Sequence, residues 1–283
     1  MTQSAADIFR DLVIKLTGTY DSSEAKSISY LLLEEKFDIA KSMIVLNKNV
    51  EMGPDKMKEL EEVKDRLANH EPVQHIIGRA YFFNRPFNVS DKVLVPRQET
   101  EEIVARIAKK NKKENLRVLD IGTGTGCIAI TLGYEMKKPD LHAWDISPEA
   151  LEIAKTNALL HKMKVKFREV DILGEVKDEN EYDVIVSNPP YVKENEKLKM
   201  KKNVLKYDPP LALFVPGDDP LKFHKAIGEF AKDHLKSGGK LYMEINEKLG
   251  DDTFELINSM GYTRVKIIKD LNDKDRFVSA MKP

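Results

Sequence analysis

A glycine-rich turn between a strand and a helix restricts this chain to a small number of folds. Residues 116–121 read Leu-Arg-Val-Leu-Asp-Ile, an apolar run of strand length, and Gly-Thr-Gly-Thr-Gly follows directly at 122–126. Residues 127–130, Cys-Ile-Ala-Ile, then open an apolar helix. Such a turn lets a ligand approach the backbone closely, as in doubly wound sheets of parallel strands. The sequence therefore predicts an α/β fold with a ligand at this turn.

The glycines do not match the pattern of a dinucleotide-binding turn, which requires Gly or Ala where this chain has Cys127. In addition, Asp120 ends the preceding strand, and a carboxylate there disfavours a pyrophosphate but suits a cation. S-adenosylmethionine carries both an ammonium and a sulfonium group. We therefore expect the turn to bind S-adenosylmethionine through Gly122, Thr123, Gly124, Thr125 and Gly126.

The next two strands also end in residues that suit a nucleoside. Asp145 ends the second strand about 20 residues after the glycines, where an acid binds ribose hydroxyls. Asp171 follows the third strand, 165–170, and is placed to accept from an adenine amino group while Ile172 packs on its face. Because ligands bind at the carboxyl ends of parallel strands, we expect a cofactor site that includes Asp145, Ile146, Asp171, Ile172 and Asn188.

The fourth strand ends in Ser-Asn-Pro-Pro-Tyr at 187–191. Prolines lack an N–H, and the residue before each is held extended. The carbonyls of Asn188 and Pro189 then form a stiff niche of hydrogen-bond acceptors, and Tyr191 adds a flat face. The niche suits a planar group with an NH2, such as a carboxamide or the amino group of a base. An ordinary proline-rich turn after a buried strand gives the same pattern.

The chain divides into three parts by pattern. Residues 1–78 show the periodicity of four helices without a catalytic constellation, which predicts a small all-α bundle for partner recognition. Residues 79–96 are rich in β-forming residues, and we expect a connecting β-hairpin that includes 93–95. Residues 97–283 then form the catalytic domain, which begins with a helix capped by Thr100.

Composition limits the classes of partner. The charge is balanced, with 46 basic and 47 acidic residues, so we expect no contact with nucleic acid except a local one through residues 197–206. The single Cys127 excludes an internal disulfide, the scattered histidines predict no metal site, and a reducing cytoplasm is the expected location. No apolar run approaches the roughly 20 residues of a membrane span. The five lysines of the local charge run are Lys197, Lys199, Lys201, Lys202 and Lys206.

Two blocks together resemble the release factor glutamine methyltransferases: Pro-Arg-x-Glu-Thr at 96–100 and Asn-Pro-Pro-Tyr at 188–191. The likeness covers nearly the whole chain. It implies a Rossmann-like seven-stranded methyltransferase sheet behind a helical domain and a β-hairpin. Further residues that carry the resemblance are Glu71, Pro72, Gly78, Phe82, Phe83, Phe87 and 93–95.

The resemblance implies a reaction and a set of roles. A methyl group passes from S-adenosylmethionine to the side-chain nitrogen of a glutamine in the GGQ motif of peptide chain release factors, leaving S-adenosylhomocysteine. Asn188, Pro189 and Tyr191 are the expected catalytic residues, and Pro190 and Arg97 join them in binding the substrate. We expect a monomer whose partners are release factors.

Two other functions stay open on the residues alone. One is an amino-group methyltransferase acting on adenine or cytosine, with the flipped base stacked on Tyr191. The other is a cofactor-binding assembly module without turnover. The resemblance, rather than the niche, favours glutamine. The chain departs from the family pattern at His75, Gln98, Asp208 and Asn246.

Overall fold

The computed structural model of the protein describes residues 2–193 and 206–283. These residues form two compact units, residues 2–79 with 206–207 and residues 80–193 with 208–283. The local nucleic-acid contact predicted for residues 197–206 falls almost entirely outside the described residues. None of the helices in the described residues combines the length and the apolar character that a membrane span requires.

The first unit is mainly helical, as predicted, with one short helix more than expected. Two of its helices begin at side-chain caps. The hydroxyl of Ser4 accepts the Asp7 N–H at 3.2 Å, and the Asp21 carboxylate accepts the N–H groups of Ser23 and Glu24 at 2.8 and 2.9 Å. The apolar faces of the helices share one core. The elements are β1 (Thr2–Ser4), α1 (Ala5–Leu16), α2 (Ser22–Phe37), α3 (Lys41–Val45), β2 (Asn49–Glu51), α4 (Pro54–Ala68) and α5 (Val73–Ile77).

A hairpin follows, formed by β3 (Arg79–Phe82) and β4 (Arg85–Asn88). Its two turn residues, Phe83 and Asn84, both have positive φ angles, 51° and 55°. That pair of angles is the signature of the tight hairpin turn whose twist matches the flanking strands. The Phe83 N–H donates to the carboxylate of Glu101 at 2.8 Å, which anchors the turn.

The prediction that residues 93–95 belong to the hairpin is wrong, because they form no strand. Val93 is instead buried in a small cluster with Ala80, Val89 and Ala150. Burial of the side chain, rather than strand pairing, accounts for the β-branched residues at this place.

The second unit contains a seven-stranded sheet, which confirms the predicted fold class. Its strands carry apolar runs that are buried on both faces, as in Val184, Ile185 and Val186. The strands are β5 (Arg117–Ile121), β6 (Asp140–Asp145), β7 (Val165–Glu169), β8 (Tyr182–Ser187), β9 (Leu235–Glu244), β10 (Thr263–Lys269) and β11 (Asp275–Met281). They lie in the order β10-β11-β9-β8-β5-β6-β7, in which β5 to β9 run parallel and β11 is antiparallel to both of its neighbours.

Helices connect and cover these strands. The first of them begins at Gln98, so the prediction that Thr100 caps it is wrong. Thr100 lies inside the first turn, and its hydroxyl donates to Glu244 rather than accepting from the backbone. The helices of this unit are α6 (Gln98–Lys110), α7 (Cys127–Glu135), α8 (Pro148–Leu160), α9 (Pro210–Leu213), α10 (Lys222–His234) and α11 (Gly250–Ser259).

The order of the strands creates a crevice beside β5. The chain runs outward from β5 through β6 to β7 and then returns to β8 on the other side of β5. Ile121 pairs with Trp144 on one side and with Ser187 on the other. The residues that follow these three therefore emerge at one edge of the sheet, where open α/β sheets bind their ligands.

Candidate functional site

The glycine-rich turn at 122–126 follows β5 at this edge and has a backbone that only glycine adopts easily. Gly122, Gly124 and Gly126 have positive φ angles of 71°, 54° and 79°. A Cβ at Gly126 would also lie 3.1 Å from Ile130 Cδ1 and 3.3 Å from Ala154 Cβ. At its three glycines the turn therefore presents backbone without side chains, just before α7, and the side chains of Thr123 and Thr125 are buried, which leaves room for a ligand to approach.

Asp120 lies beneath this turn and is fully buried. Its Oδ2 accepts the Thr123 hydroxyl at 2.6 Å and the Ala129 N–H at 3.3 Å. Its Oδ1 has no hydrogen-bond partner among the described residues. Burial raises the pKa of Asp120 to about 7, against the hydrogen bonds that lower it. The carboxyl is thus more deeply enclosed and less readily ionised than its position in the sequence indicates.

Asp145, at the end of β6, joins the turn to the next helix. Its Oδ2 accepts the Gly124 N–H at 2.8 Å, and its Oδ1 accepts the Ser147 N–H at 3.0 Å. Burial raises the pKa of Asp145, and these backbone hydrogen bonds oppose the increase. Next to it, Ile146 is an exposed apolar side chain at the same edge. A carboxylate and an apolar surface are therefore adjacent, which suits the ribose and base of a nucleoside.

The residues that follow β7 are held by fewer contacts than those that follow β5 and β6. Asp171 is exposed, and its Oδ1 accepts the Leu173 N–H at 2.9 Å. Ile172 is half-buried and packs against the core on one face of the sheet. Both residues follow a strand at the same edge as the glycine-rich turn, and their contacts with adenine stay a prediction.

The Asn-Pro-Pro-Tyr segment begins where β8 is fixed to β5. The buried Ser187 donates its hydroxyl to the carbonyl of Ile121 at 2.7 Å. Pro189 is buried, whereas Asn188 and Tyr191 are half-buried. Within residues 2–193 and 206–283, no group forms a hydrogen bond with the carboxamide of Asn188. A partly exposed amide with unused bonding capacity thus follows a rigid strand end.

The chain after this segment is tied down as well. The Val192 N–H donates to the Leu213 carbonyl at 3.1 Å, and the Val192 carbonyl accepts the Val215 N–H at 2.9 Å. These two bonds form a parallel bridge between residues 192 and 214. Asn188 to Tyr191 are therefore held at both ends, which limits the conformations available to the proposed niche.

A buried polar cluster adjoins Tyr191. Glu244, which ends β9, is almost fully buried and accepts the Thr100 hydroxyl at 2.8 Å. Burial raises the pKa of Glu244 to about 7, although Thr100, Arg276 and Arg97 lower it. Burial, with the nearby charge of Glu244, also raises the pKa of Tyr191 to about 12, so its phenol stays neutral.

Arg97 belongs to the same surroundings. Its side chain is about half exposed, and its Nη2 lies 3.8 Å from Oδ2 of the buried Asp208. Burial raises the pKa of Asp208 to about 6, and the charge of Arg97 lowers it only in part. Arg97 is thus oriented by a buried acid while part of it faces solvent, and its contact with a substrate stays a prediction.

Sequence reasoning did not identify Glu244 or Asn157 as site residues. Glu244 follows the same rule as Asp145 and Asn188, since it ends a parallel strand at the same edge, so the strand pattern could have identified it. Asn157 lies inside helix α8, 32 positions from its partner Thr125, and no local signal marks it. In the described part of the chain, no group of three or more His, Cys, Asp or Glu residues is placed to hold a metal ion.

Comparisons with known proteins agree with this geometry. A family model of the methyltransferase small domain matches residues 99–207, and one of the PrmC N-terminal domain matches residues 8–78. A methyltransferase structure from Pyrococcus furiosus has a TM-score of 0.53 at 23% identity and covers 78% of this chain and 98% of its own. The 16S rRNA N2 G1207 methyltransferase of Thermus thermophilus has a TM-score of 0.52 at 16% identity, covering 72% and 50%. At these identities the structures show a shared fold alone.

Sequence relatives are closer. A release factor glutamine methyltransferase of Bacteroides thetaiotaomicron is 43% identical over 266 residues, which are 94% of this chain and 95% of that protein. One of Flavobacterium psychrophilum is 39% identical over 267 residues, 93% and 94% of the two chains. One of Bacillus subtilis is 33% identical over 277 residues, 95% and 96%. The chain therefore belongs to the family of release factor glutamine methyltransferases.

Proposed function

We propose that this protein transfers a methyl group from S-adenosylmethionine to the side-chain amide nitrogen of the glutamine in the GGQ motif of peptide chain release factors, and thereby supports translation termination. The observation that carries the proposal is the Asn188 carboxamide, unpaired among the described residues, at the carboxyl edge of the sheet. The names of relatives that match over nearly their whole length support glutamine as the acceptor.

The residues of the glycine-rich turn fit S-adenosylmethionine, which would supply an activated methyl group on a sulfonium. Gly122, Gly124 and Gly126 carry no side chains, so the cofactor would contact the backbone directly. The unpartnered Oδ1 of Asp120 is a buried acceptor that suits the ammonium group. Asp145 and Ile146 would hold the ribose and the base.

Asn188 and Pro189 would bind the acceptor amide. A carboxamide nitrogen is a weak nucleophile because its lone pair is delocalised into the carbonyl. We expect the Asn188 Oδ1 and the Pro189 carbonyl to accept the two N–H bonds of the substrate amide, which orients its nitrogen. The same two oxygens stabilise the positive charge that develops on that nitrogen during transfer.

Tyr191 would confine the plane of the amide by packing. Its phenol pKa is raised to about 12, so the side chain stays uncharged and acts as a flat, polar-edged surface. No strong base is required before the methyl group moves, because the amide attacks as a neutral group and then gives its proton to water at this partly exposed site.

One experiment tests this function directly. The protein is incubated with methyl-labelled S-adenosylmethionine and, in separate reactions, with purified release factor, duplex DNA or RNA, and the label is then located by peptide or nucleoside analysis. The proposal requires label on the GGQ glutamine. A release factor with that glutamine replaced by alanine is the matched control and must stay unlabelled. Label on adenine or cytosine would show a base methyltransferase, and no label anywhere would indicate a module without turnover.

A further inference from the structure

Asn157 is a fully buried carboxamide that connects three elements of the second unit. It lies in helix α8, and its Oδ1 accepts the Asn88 N–H at 2.7 Å at the end of strand β4. Its Nδ2 donates to the Asn88 carbonyl at 3.0 Å and to the Thr125 carbonyl at 2.9 Å. One amide therefore uses both of its ends, and it joins the hairpin to the glycine-rich turn.

The contact at Thr125 falls between two constrained glycines of the turn. Gly124 and Gly126 on either side have left-handed backbones, so the peptide planes here have few alternative partners. The N–H groups of Gly122 and Thr123 donate to the Trp144 carbonyl and that of Gly124 to the Asp145 carboxylate, so these acceptors both lie on β6. Asn157 is different because it holds a carbonyl of the turn, and it does so from α8.

The chemistry of this position suits asparagine. The site needs one acceptor for the Asn88 N–H and two donors for the carbonyls of Asn88 and Thr125. An asparagine Nδ2 has two N–H donors and uses both here, and its Oδ1 uses one of its two lone pairs. Aspartate offers no donor, and leucine offers neither donor nor acceptor. In a buried site, each carbonyl left without a donor keeps its cost of desolvation.

We propose that Asn157 is a positioning residue for cofactor binding, which locks the glycine-rich turn to the hairpin and thereby sets the affinity for S-adenosylmethionine. This inference rests on the proposed function, since it takes the turn to be the cofactor site. Asn157 touches no reacting atom, and its effect passes through the Thr125 carbonyl.

His161 supplies a matched control. It lies just after the end of the same helix, and its Nε2 is 2.8 Å from the Pro86 carbonyl in the same hairpin strand. His161 also packs on Phe87 at 4.6 Å between ring centroids. It thus joins helix to hairpin as Asn157 does, but it has no bond to the glycine-rich turn.

The experiment compares wild type, Asn157→Asp, Asn157→Ser and His161→Ala in the full chain. Four quantities are measured: the Kd for S-adenosylmethionine by calorimetry, the KM for release factor, kcat at saturating cofactor, and the melting temperature. Serine is the milder change, because its hydroxyl supplies one donor and, unlike the carboxyl of aspartate, does not ionise in the buried site. It keeps the comparison valid if the aspartate variant does not fold.

We expect both Asn157 variants to raise the cofactor Kd by about tenfold or more, the change for one lost hydrogen bond of about 1.4 kcal/mol, with aspartate the larger effect. The KM for release factor and kcat at saturating cofactor should change by less than about threefold, since the acceptor niche is intact. His161→Ala should lower the melting temperature and leave the cofactor Kd unchanged.

Two results would overturn the inference while leaving the proposed function in place. In the first, the Asn157 variants lose thermal stability but bind the cofactor like wild type. In the second, His161→Ala weakens cofactor binding as much as they do, which would show a general effect of a loosened hairpin. Failure of the wild type itself to bind S-adenosylmethionine would overturn the proposed function, and this inference with it.

Discussion

Thr100 and Glu244, 144 positions apart in the chain, are joined by a hydrogen bond in which the threonine hydroxyl donates to the glutamate carboxyl at 2.8 Å. Thr100 lies in the first turn of α6, and Glu244 ends β9 beside the strand that leads into Asn188. The bond therefore fixes the start of a helix against the edge of the sheet where the proposed amide niche lies. It also satisfies one oxygen of a carboxyl that is almost fully buried.

The buried Glu244 should make stability depend on pH in a defined direction. Burial raises its pKa in the folded protein from 4.5 to about 7. The folded state thus binds the proton more tightly than the unfolded state, so the contribution of Glu244 to stability is present below pH 4.5 and is lost as the pH rises to about 7. We expect this loss to be roughly 2–4 kcal/mol.

Glu244→Gln measures this contribution, because glutamine keeps an acceptor for the Thr100 hydroxyl and cannot ionise. Relative to wild type, the variant should gain stability between about pH 5 and pH 8 in urea unfolding. Asp120 and Asp208 titrate in the same pH region, but both residues are present in wild type and variant. Their contributions therefore cancel in the difference between the two free energies of unfolding. A difference that does not change with pH would contradict the assignment of the raised pKa to Glu244.

Gly126→Ala should disturb both the fold and the cofactor site. The alanine would have to adopt the left-handed backbone that Gly126 has now, and its Cβ would lie 3.1 Å from Ile130 Cδ1. We expect a loss of about 2–4 kcal/mol in the free energy of unfolding, which sums the backbone strain and the crowding. The cofactor Kd should also rise.

Gly261→Ala is the control for this change, because Gly261 has a φ angle of 86° and open space around it. It should show the backbone strain alone, about 1–2 kcal/mol, with an unchanged cofactor Kd. Equal losses in the two variants would mean that the contacts of Gly126 with Ile130 and Ala154 have no energetic weight.

Much of the sheet and of the candidate site can be predicted from short local patterns in the sequence. The strands at 116–121 and 182–186 are largely apolar and contain β-branched residues, and the strand at 142–145 ends in Trp144 and Asp145. Ligands bind at the carboxyl ends of such strands, so three candidate site segments are predictable at one edge of the sheet. The fold class is correctly predicted on this basis, whereas the family is correctly predicted from the resemblance carried by the blocks at 96–100 and 188–191. The roles of side chains whose partners are distant in the sequence are not predicted in this way, and Thr100 is the clearest example. Its position before an apolar helical run indicates a cap, yet its partner 144 positions away decides its role.

The strand predicted at 93–95 is wrong for a related reason. β-branched residues pack well against any apolar surface, and strand propensity does not distinguish a paired strand from a buried loop. The neighbours that bury Val93 include Ala150 from helix α8, which is remote in sequence. Local composition contains no information about such a contact.

Asp120 should couple cofactor affinity to pH. Its pKa is raised to about 7 by burial, so a large part of the population is protonated at about pH 6. A bound ammonium group favours the ionised form, and the affinity for S-adenosylmethionine should therefore fall by about fivefold to tenfold as the pH is lowered from about 7.5 to about 6. Calorimetric titration at several pH values measures this dependence.

Asp120→Asn provides the comparison, because an amide at this position does not titrate. The variant should bind the cofactor more weakly at about pH 7.5 and should show a flatter dependence on pH. Titration of the cofactor's own amino group affects both proteins equally and leaves their difference unchanged. An identical slope in the two proteins would show that Asp120 does not interact with the bound ammonium.

If Asn188 orients a neutral amide for methyl transfer, the Asn188→Ala variant should keep its cofactor and lose the transfer step. The measurement is the single-turnover rate of methyl transfer to purified release factor, with the cofactor Kd determined on the same preparation. In the proposed mechanism, loss of the Asn188 side chain removes one of the two acceptors that would hold the amide and stabilise the charge on its nitrogen. We predict that the cofactor Kd changes by less than about threefold while the transfer rate falls by about 10²–10³-fold. A transfer rate close to that of wild type would contradict the account.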